Sequence, residues 1–598
     1  MKHLASLNKY FVRYKWRIMA GVLFVICANA LNVYNPIITK DAVDLIAKHL
    51  KDVHTSGELT TTIQTQIGWQ VFYLFLKYLA VALMAGGFTF LMRQTIIVVS
   101  RKIEFDLKND IYEHYQKLDL AFYRRNNTGD LMNRITEDVS RVRMYMGPAV
   151  MYSVNLIFAI LFALTSMLLI NPVLTMWVMI PFPILSFIIY YVNELVEKTS
   201  TEIQTKLSEL TTNAQETYSG IRVIQAYTRE KDMMMHFERE SEEYKQKQLK
   251  MAKINSVYFP IMIFLIGCSI IIVVYVGGIQ VGQQKLSPGA LAAFLMYTNM
   301  LMWPVSALGW TASIVQRAIA SQKRINDFLD QQPTVKDEIS LEKEIKGDIV
   351  FENVSFTYPD TGLQALKDIS FHIKPGQRLA IIGRTGSGKT TLADLLMRMY
   401  DATQGEIRID GTPIKEFQLG SLRRQIGFVP QDVFLFSETI SENITFGLDE
   451  SDEETASRFA EYASIKNEIE EFPMGFKTMV GERGVTLSGG QKQRISIARA
   501  LAKQPNILLL DDSLSAVDTA TEKRIQQNLE KVLDGKTAII ITHRIFSLMR
   551  FDNIIVLDDG RIIEQGKHQE LLDKAGAYAD IYNRQLTEQK NESVAESL

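Results

Sequence analysis

Cysteine is nearly absent from this sequence: only Cys27 and Cys268 occur in 598 residues, each inside an apolar run. Neither a disulfide framework nor a zinc cluster can be built from them. Net charge is missing too, since Lys+Arg 65 offset Asp+Glu 67 and leave a formal -2. A chain with no basic excess has no electrostatic case for nucleic acid as its main partner. Apolar residues, in contrast, make up 47% of the chain, which excludes disorder, and the length calls for several domains. The mean hydropathy of +0.02 is high for a soluble chain of this size and reads as an average over unlike halves.

Charge is absent from residues 18–39, and about 20 such residues cross a ~30 Å hydrocarbon core as a helix. Residues 69–92 carry only Lys77, and 144–193, 254–284 and 286–316 carry no charge. The run 144–193 is too long for one crossing. It divides at Asn171-Pro172, because proline is tolerated at a helix start while the residue before it leaves the helical region. Six spans are predicted, at about 18–39, 69–92, 144–170, 172–193, 254–284 and 286–316. The segment before the first holds Lys2, Lys9, Arg13, Lys15 and Arg17 without an acid, which places it in the cytosol. Six crossings return the chain there, so a multi-pass protein of the cell membrane with both termini cytosolic is expected. No cleavable leader is expected in residues 1–17, which lack its apolar stretch and cleavage site. Lys77 is read as snorkelling to the outer surface.

Residues 93–143 and 194–253 are charged throughout, free of proline and apolar at helical spacing. They read as long helical hairpins, which at about 25 residues per arm project roughly 35 to 40 Å. Near their tips lie Phe122-Tyr123 through Thr128-Gly-Asp-Leu131, and Glu216 to Arg222. Span six offers Met296, Tyr297, Met300, Met302, Trp303 and Trp310 with Asn299 as a polar break. Polarizable methionines and aromatic faces there suit a cavity for apolar or amphiphilic cargo.

Past the spans the composition turns polar. We read residues 1–325 as a membrane domain, 326–346 as a linker and 347–598 as a soluble domain. In the latter, the buried-strand pattern of residues 378–383 enters Gly383, Arg384, Thr385, Gly386, Ser387, Gly388, Lys389 and Thr390, with a helical pattern following from Thr391. This is a P-loop: its glycines let backbone N–H groups close on phosphate, Lys389 reaches the β/γ-phosphates and Thr390 ligates Mg²⁺. A second apolar strand ends in Asp511-Asp512, placing Asp511 on the metal side. Between them Leu487-Ser488-Gly489-Gly490-Gln491 precedes a helical run, the shape of a second phosphate cradle. One domain needs one P-loop per nucleotide, so a second cradle makes sense if it serves another copy.

These three motifs, in this order and behind six spans, resemble the ATP-binding cassette superfamily, and the chain as a whole resembles a half-transporter of the ABC exporter type. The resemblance implies an all-α six-span membrane domain fused to an α/β P-loop NTPase domain, and an ATPase using ATP and Mg²⁺. It implies a second half-transporter as partner, in a homodimer or heterodimer, contact with membrane lipid, and a hydrophobic or amphiphilic substrate exported by alternating access. It further implies Tyr358 stacking on adenine, Gln431 as the lid glutamine and a metal ligand, Asp518 as the inter-domain aspartate and His543 at the γ-phosphate. Residues 478–484 look like the exporter loop that touches the membrane domain, and the two hairpin tips look like coupling helices.

One residue departs from the family. Where most of these ATPases place a glutamate as general base, this chain has Asp512, one methylene shorter. Similar chains are often the degenerate half of a heterodimer that still lends an intact Leu-Ser-Gly-Gly-Gln to its partner. A homodimer in which Asp512 works as the base through a bridging water is the other reading. Two further alternatives are a soluble-type ATPase that remodels a partner, against which the six spans argue, and a nucleotide-gated regulator or channel with little turnover.

Overall fold

The computed structural model describes residues 2–56, 61–337, 341–481, 484–543 and 551–595. They form two compact units, Met1–Tyr115 with Gly129–Gln331, and Gln116–Thr128 with Gln332–Leu598.

Among the described residues six helices are long and apolar enough to cross a membrane, lying wholly or almost wholly in the first unit: Lys15–Lys51, Ile67–Lys117, Thr128–Ile170, Pro172–Ser219, Glu230–Gly282 and Pro288–Leu329. The second to fifth outrun the apolar stretches in their sequences because the charged hairpin arms continue the same helices, and the first and sixth run on through the charged residues 40–51 and 317–329. The break in the long apolar run falls at Asn171, which is extended at φ -159° and accepts a hydrogen bond from the Leu174 amide at 2.9 Å, with Pro172 in the first turn. That side chain satisfies a helix-start N–H that would otherwise be orphaned. Its amide donates to Gln280 Oε1 at 2.6 Å, tying the turn to a neighbouring helix. At the start of Pro288–Leu329, Asp44 accepts from Ser287 Oγ and from the Gly289 amide, both at 2.7 Å.

Pro148 sits in a π turn, Tyr145–Ala149, which accommodates the missing donor by widening the ladder. The arms of the second hairpin are joined by Lys206–Glu243 at 2.8 Å and Lys247–Glu202 at 3.4 Å. The basic N-terminal segment is clamped onto the first hairpin with matched spacing on both helices. Lys9 and the Tyr10 hydroxyl meet Asp110 at 2.6 and 2.7 Å, and Arg13 and the Tyr14 hydroxyl meet Asp106, both at 3.0 Å.

One expectation is corrected here. Tyr297 does not line a cavity: it is fully buried among apolar side chains and its hydroxyl donates to the Val33 carbonyl at 2.9 Å. Its ring is core packing, and its hydroxyl is satisfied as a buried phenol requires. Trp303 and Trp310 stay exposed, the latter packed edge-on to Tyr152 at 5.2 Å. Lys77 Nζ lies 5.1 Å above the Tyr34 ring.

The second unit includes the tip of the first hairpin. A short helix there, α1 (Leu120–Arg125), is capped by Asp119, which accepts from the Phe122 amide at 3.1 Å and also from the Val335 amide at 3.3 Å. Ala121 is buried in the same core as the strands. The strands are β1 (Ile349–Thr357), β2 (Gln364–Ile373), β3 (Arg378–Gly383), β4 (Gln404–Ile409), β5 (Thr412–Pro413), β6 (Ile426–Val429), β7 (Ile507–Asp511), β8 (Thr537–Ile541), β9 (Asn553–Asp558) and β10 (Arg561–Gly566). They make an antiparallel sheet ordered β2-β1-β4-β5 and a second sheet ordered β10-β9-β3-β8-β7-β6. In the latter, β9, β3, β8, β7 and β6 run parallel. Strands β3 and β7 are buried along their whole length or nearly so, as a parallel sheet covered on both faces requires. Ligands bind such sheets at the carboxyl ends of the strands, which is where β3 and β7 deliver Gly383 and Asp511.

Candidate nucleotide site

The P-loop connects β3 to α2 (Lys389–Leu396). Gly388, just before the helix, has φ +100°, and a Cβ there would meet the Ala365 carbonyl oxygen at 2.5 Å, so only glycine fits. Gly386 at φ +82° faces open space on its Cβ side. Lys389 is buried, with Nζ donating to the carbonyls of Gly383 at 2.9 Å and Arg384 at 2.8 Å. Burial pushes its pKa down, while Asp511 and Asp512 support its charge. Arg384 and Thr385 are exposed at the loop's outer edge.

Asp511 ends β7 buried, accepting a hydrogen bond from Thr390. Burial raises its pKa, and the Thr390 bond and Lys389 oppose that. Two buried oxygens in this cradle have no hydrogen-bond partner, Ser387 Oγ and Asp511 Oδ2. Unsatisfied buried polar atoms are costly, and these two lie in the loop and at the strand end where a triphosphate and a divalent cation fit by chemistry. His543 follows β8 and is half-buried. Burial and then Lys389 push its pKa down, with Asp512 opposing. The imidazole is therefore neutral near pH 7, with one donor and one acceptor nitrogen.

Asp512 takes a left-handed backbone, φ +45°. Its amide donates to the Ile541 carbonyl at 2.9 Å and its carbonyl accepts from Ser515 Oγ at 2.9 Å. Lys389, Thr390, Asp511, Asp512 and His543 are thus brought together from β3, β7 and β8.

Other expected residues stand elsewhere in the unit. Ser488 caps α3 (Gly489–Ala502) in a capping box with Gln491, and Gln491 Nε2 donates to Glu468 at 3.2 Å. Gly490 packs against the 512–517 segment, where a Cβ would meet the Ala516 carbonyl at 2.8 Å. No hydrogen bond among the described residues joins Ser488, Gly489, Gly490 or Gln491 to the P-loop. Asp518 caps α4 (Thr519–Val532), accepting from the Ala520 and Thr521 amides at 3.1 and 2.9 Å. Those backbone bonds, Thr521 first, hold its carboxyl below the usual range. Gln431 is exposed on the loop after β6. In the 478–484 segment Thr478 and Val480 bond to Ile440 and Glu438 at 3.0 and 3.1 Å, while Glu482 and Arg483 lie outside the described residues.

Tyr358 follows β1, half-buried, its hydroxyl 2.9 Å from Thr391 Oγ1. Two neighbours escaped the sequence reading. Arg124 of α1 lies 5.0 Å above the Tyr358 ring, and Asp394 of α2 is buried 3.9 Å from Arg124. No motif marks either, because their significance arises only when the hairpin tip meets the domain.

Asp394 carries a testable consequence. Burial first, then the charge of Asp511, pushes its pKa from 3.8 to about 6, against Arg124. A carboxyl whose folded pKa exceeds its unfolded one contributes stability that is complete below the unfolded value and lost as pH rises through the folded one. Above pH 6 the native state therefore carries a buried, poorly compensated charge. Asp394→Asn should raise the unfolding free energy at pH 7.5, read from denaturant titrations, by on the order of 1 to 3 kcal/mol at about 1.4 kcal/mol per pKa unit. The gain should shrink to nothing by pH 4. A gain that is independent of pH would refute this.

A P-loop at the end of a parallel strand, a second strand delivering a carboxylate beside it, and a bundle of six apolar helices on one chain define a membrane-embedded ATPase. A family model described as ABC transporter transmembrane region matches residues 18–305, and one described as ABC transporter matches 366–515. The chain is 37% identical over 585 residues to the probable multidrug resistance ABC transporter ATP-binding/permease protein YheI of Bacillus subtilis (strain 168), covering 97% of each. It is 36% identical over 517 residues to an ATP-dependent lipid A-core flippase of Syntrophus aciditrophicus (strain SB), covering 86% of each. A solved structure of a bacterial Atm1-family ABC exporter with ATP bound matches with a TM-score of 0.76 at 27% identity, over 95% of this chain and 99% of that one. The chain belongs to the ABC transporters. It is a multi-pass, ATP-driven exporter half that hydrolyses ATP and works as a dimer.

Proposed function

We propose that this half-transporter moves amphiphilic small molecules or lipids out of the cytosol or the inner leaflet of the cell membrane, with both termini cytosolic. The observation that carries the reading is the meeting of Lys389 with the Thr390–Asp511 pair between β3 and β7. Lys389 and the P-loop amides hold the phosphates. Thr390, Asp511 and Gln431 would hold Mg²⁺, which when bound neutralises charge on the phosphates. Asp512 orients and deprotonates the attacking water, neutral His543 donates to the transferred phosphoryl group, and Tyr358 carries the base. Ser488 to Gln491 and Asp518 serve the nucleotide of the second half, in a homodimer or a heterodimer. A multidrug transporter and a lipid flippase among the relatives, and the exposed Trp303 and Trp310 of the sixth span, support an amphiphilic cargo.

The test is uptake of a fluorescent amphiphile or lipid into sealed inside-out vesicles on adding ATP. The second hairpin tip supplies an internal control. Gly220 ends the helix Pro181–Ser219, and the following turn of helix, Ile221–Ala226, contains no buried residue while Tyr218, Val223 and Tyr227 are exposed. Glycines across 217–221 should leave nucleotide affinity within about twofold and reduce transport by roughly tenfold or more, the scale of a lost positioning element. Undiminished transport would end the coupling role of this tip. ATP-dependent conductance without cargo uptake would favour the nucleotide-gated reading, which Asp512 keeps in view.

A further inference from the structure

Arg124 is out of place for a residue whose only task is to end a helical hairpin. Its guanidinium lies 5.0 Å from the centre of the Tyr358 ring and 5.7 Å from that of Tyr400. It also comes within 3.9 Å of Asp394 Oδ2. Tyr358 is held by further neighbours: Phe356 and Tyr400 pack against it at 81° and 89°, and its hydroxyl is held by Thr391 at 2.9 Å, while the residue stays half-exposed. The same cluster contains a buried polar atom with no partner, the hydroxyl of Tyr400, a residue only 4% exposed.

We infer that Arg124 is a base-specificity residue of the nucleotide site, setting how Tyr358 receives a purine. The inference rests on the reading of Tyr358 as the base platform. A cation on an aromatic face is attracted to its negative quadrupole and draws electron density toward itself. The remaining surface of the ring becomes electron-poor, which favours stacking by an electron-rich purine. The guanidinium also restrains the plane of the ring, so that less freedom is lost when a base arrives. Because Arg124 belongs to the hairpin tip, the base would then be recognised jointly by the tip and by the turn after β1.

The prediction separates base from phosphate. Binding of ATP and of inorganic tripolyphosphate is measured calorimetrically on the full-length dimer in nanodiscs, and the ratio of the two affinities reports what the base adds. Arg124→Met should weaken ATP about 3- to 10-fold, the range of a partly desolvated cation–π contact, and leave tripolyphosphate unchanged. Arg124→Lys keeps the charge and should retain most of the ATP preference; it also carries the comparison if the Met variant does not fold. Equal weakening of both ligands would mean a purely structural role, and no change in either would mean none; each result overturns the inference. Tyr358→Ala is the control for its premise: if that variant leaves the ratio intact, Tyr358 is not the base platform, whatever Arg124 does.

Discussion

Lys389→Ala should abolish Mg-ATP turnover, with a loss on the order of 10²-fold or more, as expected when a preorganised charge aimed at a transferring phosphoryl group is removed. The expectation follows from how the lysine is held. Its ammonium is buried, satisfied by the Gly383 and Arg384 carbonyls at 2.9 and 2.8 Å, and faces Asp511 and Asp512. Deleting it removes a cation that burial has already partly desolvated, so the loss is larger than for a surface lysine. It also leaves two loop carbonyls without their donor and two carboxylates without their counter-charge. Nucleotide binding should weaken as well, because the loop must then be ordered by the ligand alone. Lys389→Arg distinguishes charge from shape: it keeps the charge but not the point geometry, and it should recover binding better than turnover. ATPase measured on the purified protein, free of any partner chain, decides the matter; normal activity in Lys389→Ala would mean that the phosphates are bound elsewhere.

The parts of this molecule legible in the sequence are those fixed by local rules. The membrane spans show as runs without charge, since a charge in hydrocarbon costs several kcal/mol and few are tolerated. Asn171-Pro172 announces its own turn because both the cap and the first-turn proline are nearest-neighbour effects. The P-loop is readable because Gly388 admits no side chain beside the Ala365 carbonyl. What was not legible depends on contacts between residues distant in sequence. Tyr297 looks like its neighbours Met296 and Met300 in composition, and only the Val33 carbonyl opposite its hydroxyl makes it a core residue. Arg124 and Asp394 reach significance through a contact between residues far apart in the sequence. The helix ends could not be read either, because the charged arms have the same period as the spans they extend.

Asp512→Glu should raise the hydrolysis rate of this site about 10- to 100-fold, the scale expected from repositioning a general base. The argument is geometric. The backbone of Asp512 is pinned on both sides, by its amide to the Ile541 carbonyl at 2.9 Å and by its carbonyl to Ser515 Oγ at 2.9 Å, and it sits at φ +45°. The main chain therefore has little freedom to advance a carboxylate that is one methylene short. The side chain must either leave its oxygen roughly 1 Å or more from the in-line position or recruit a second water, and both make hydrolysis slow. Glutamate at 512 restores the reach without disturbing either backbone bond. The strain of the left-handed backbone should rise only slightly, since aspartate tolerates that region better than glutamate by a small margin. In a heterodimer whose other half carries a glutamate, the gain would be partial, because that site already supplies most of the turnover. Asp512→Asn completes the experiment: it removes the base while keeping its size, and should stop a homodimer but barely slow a heterodimer. ATPase rates of both variants in the purified dimer thus report the competence of the base and the composition of the dimer together. No gain with glutamate and collapse with asparagine would establish Asp512 as a working base through a bridging water, and the degenerate-site reading would fall.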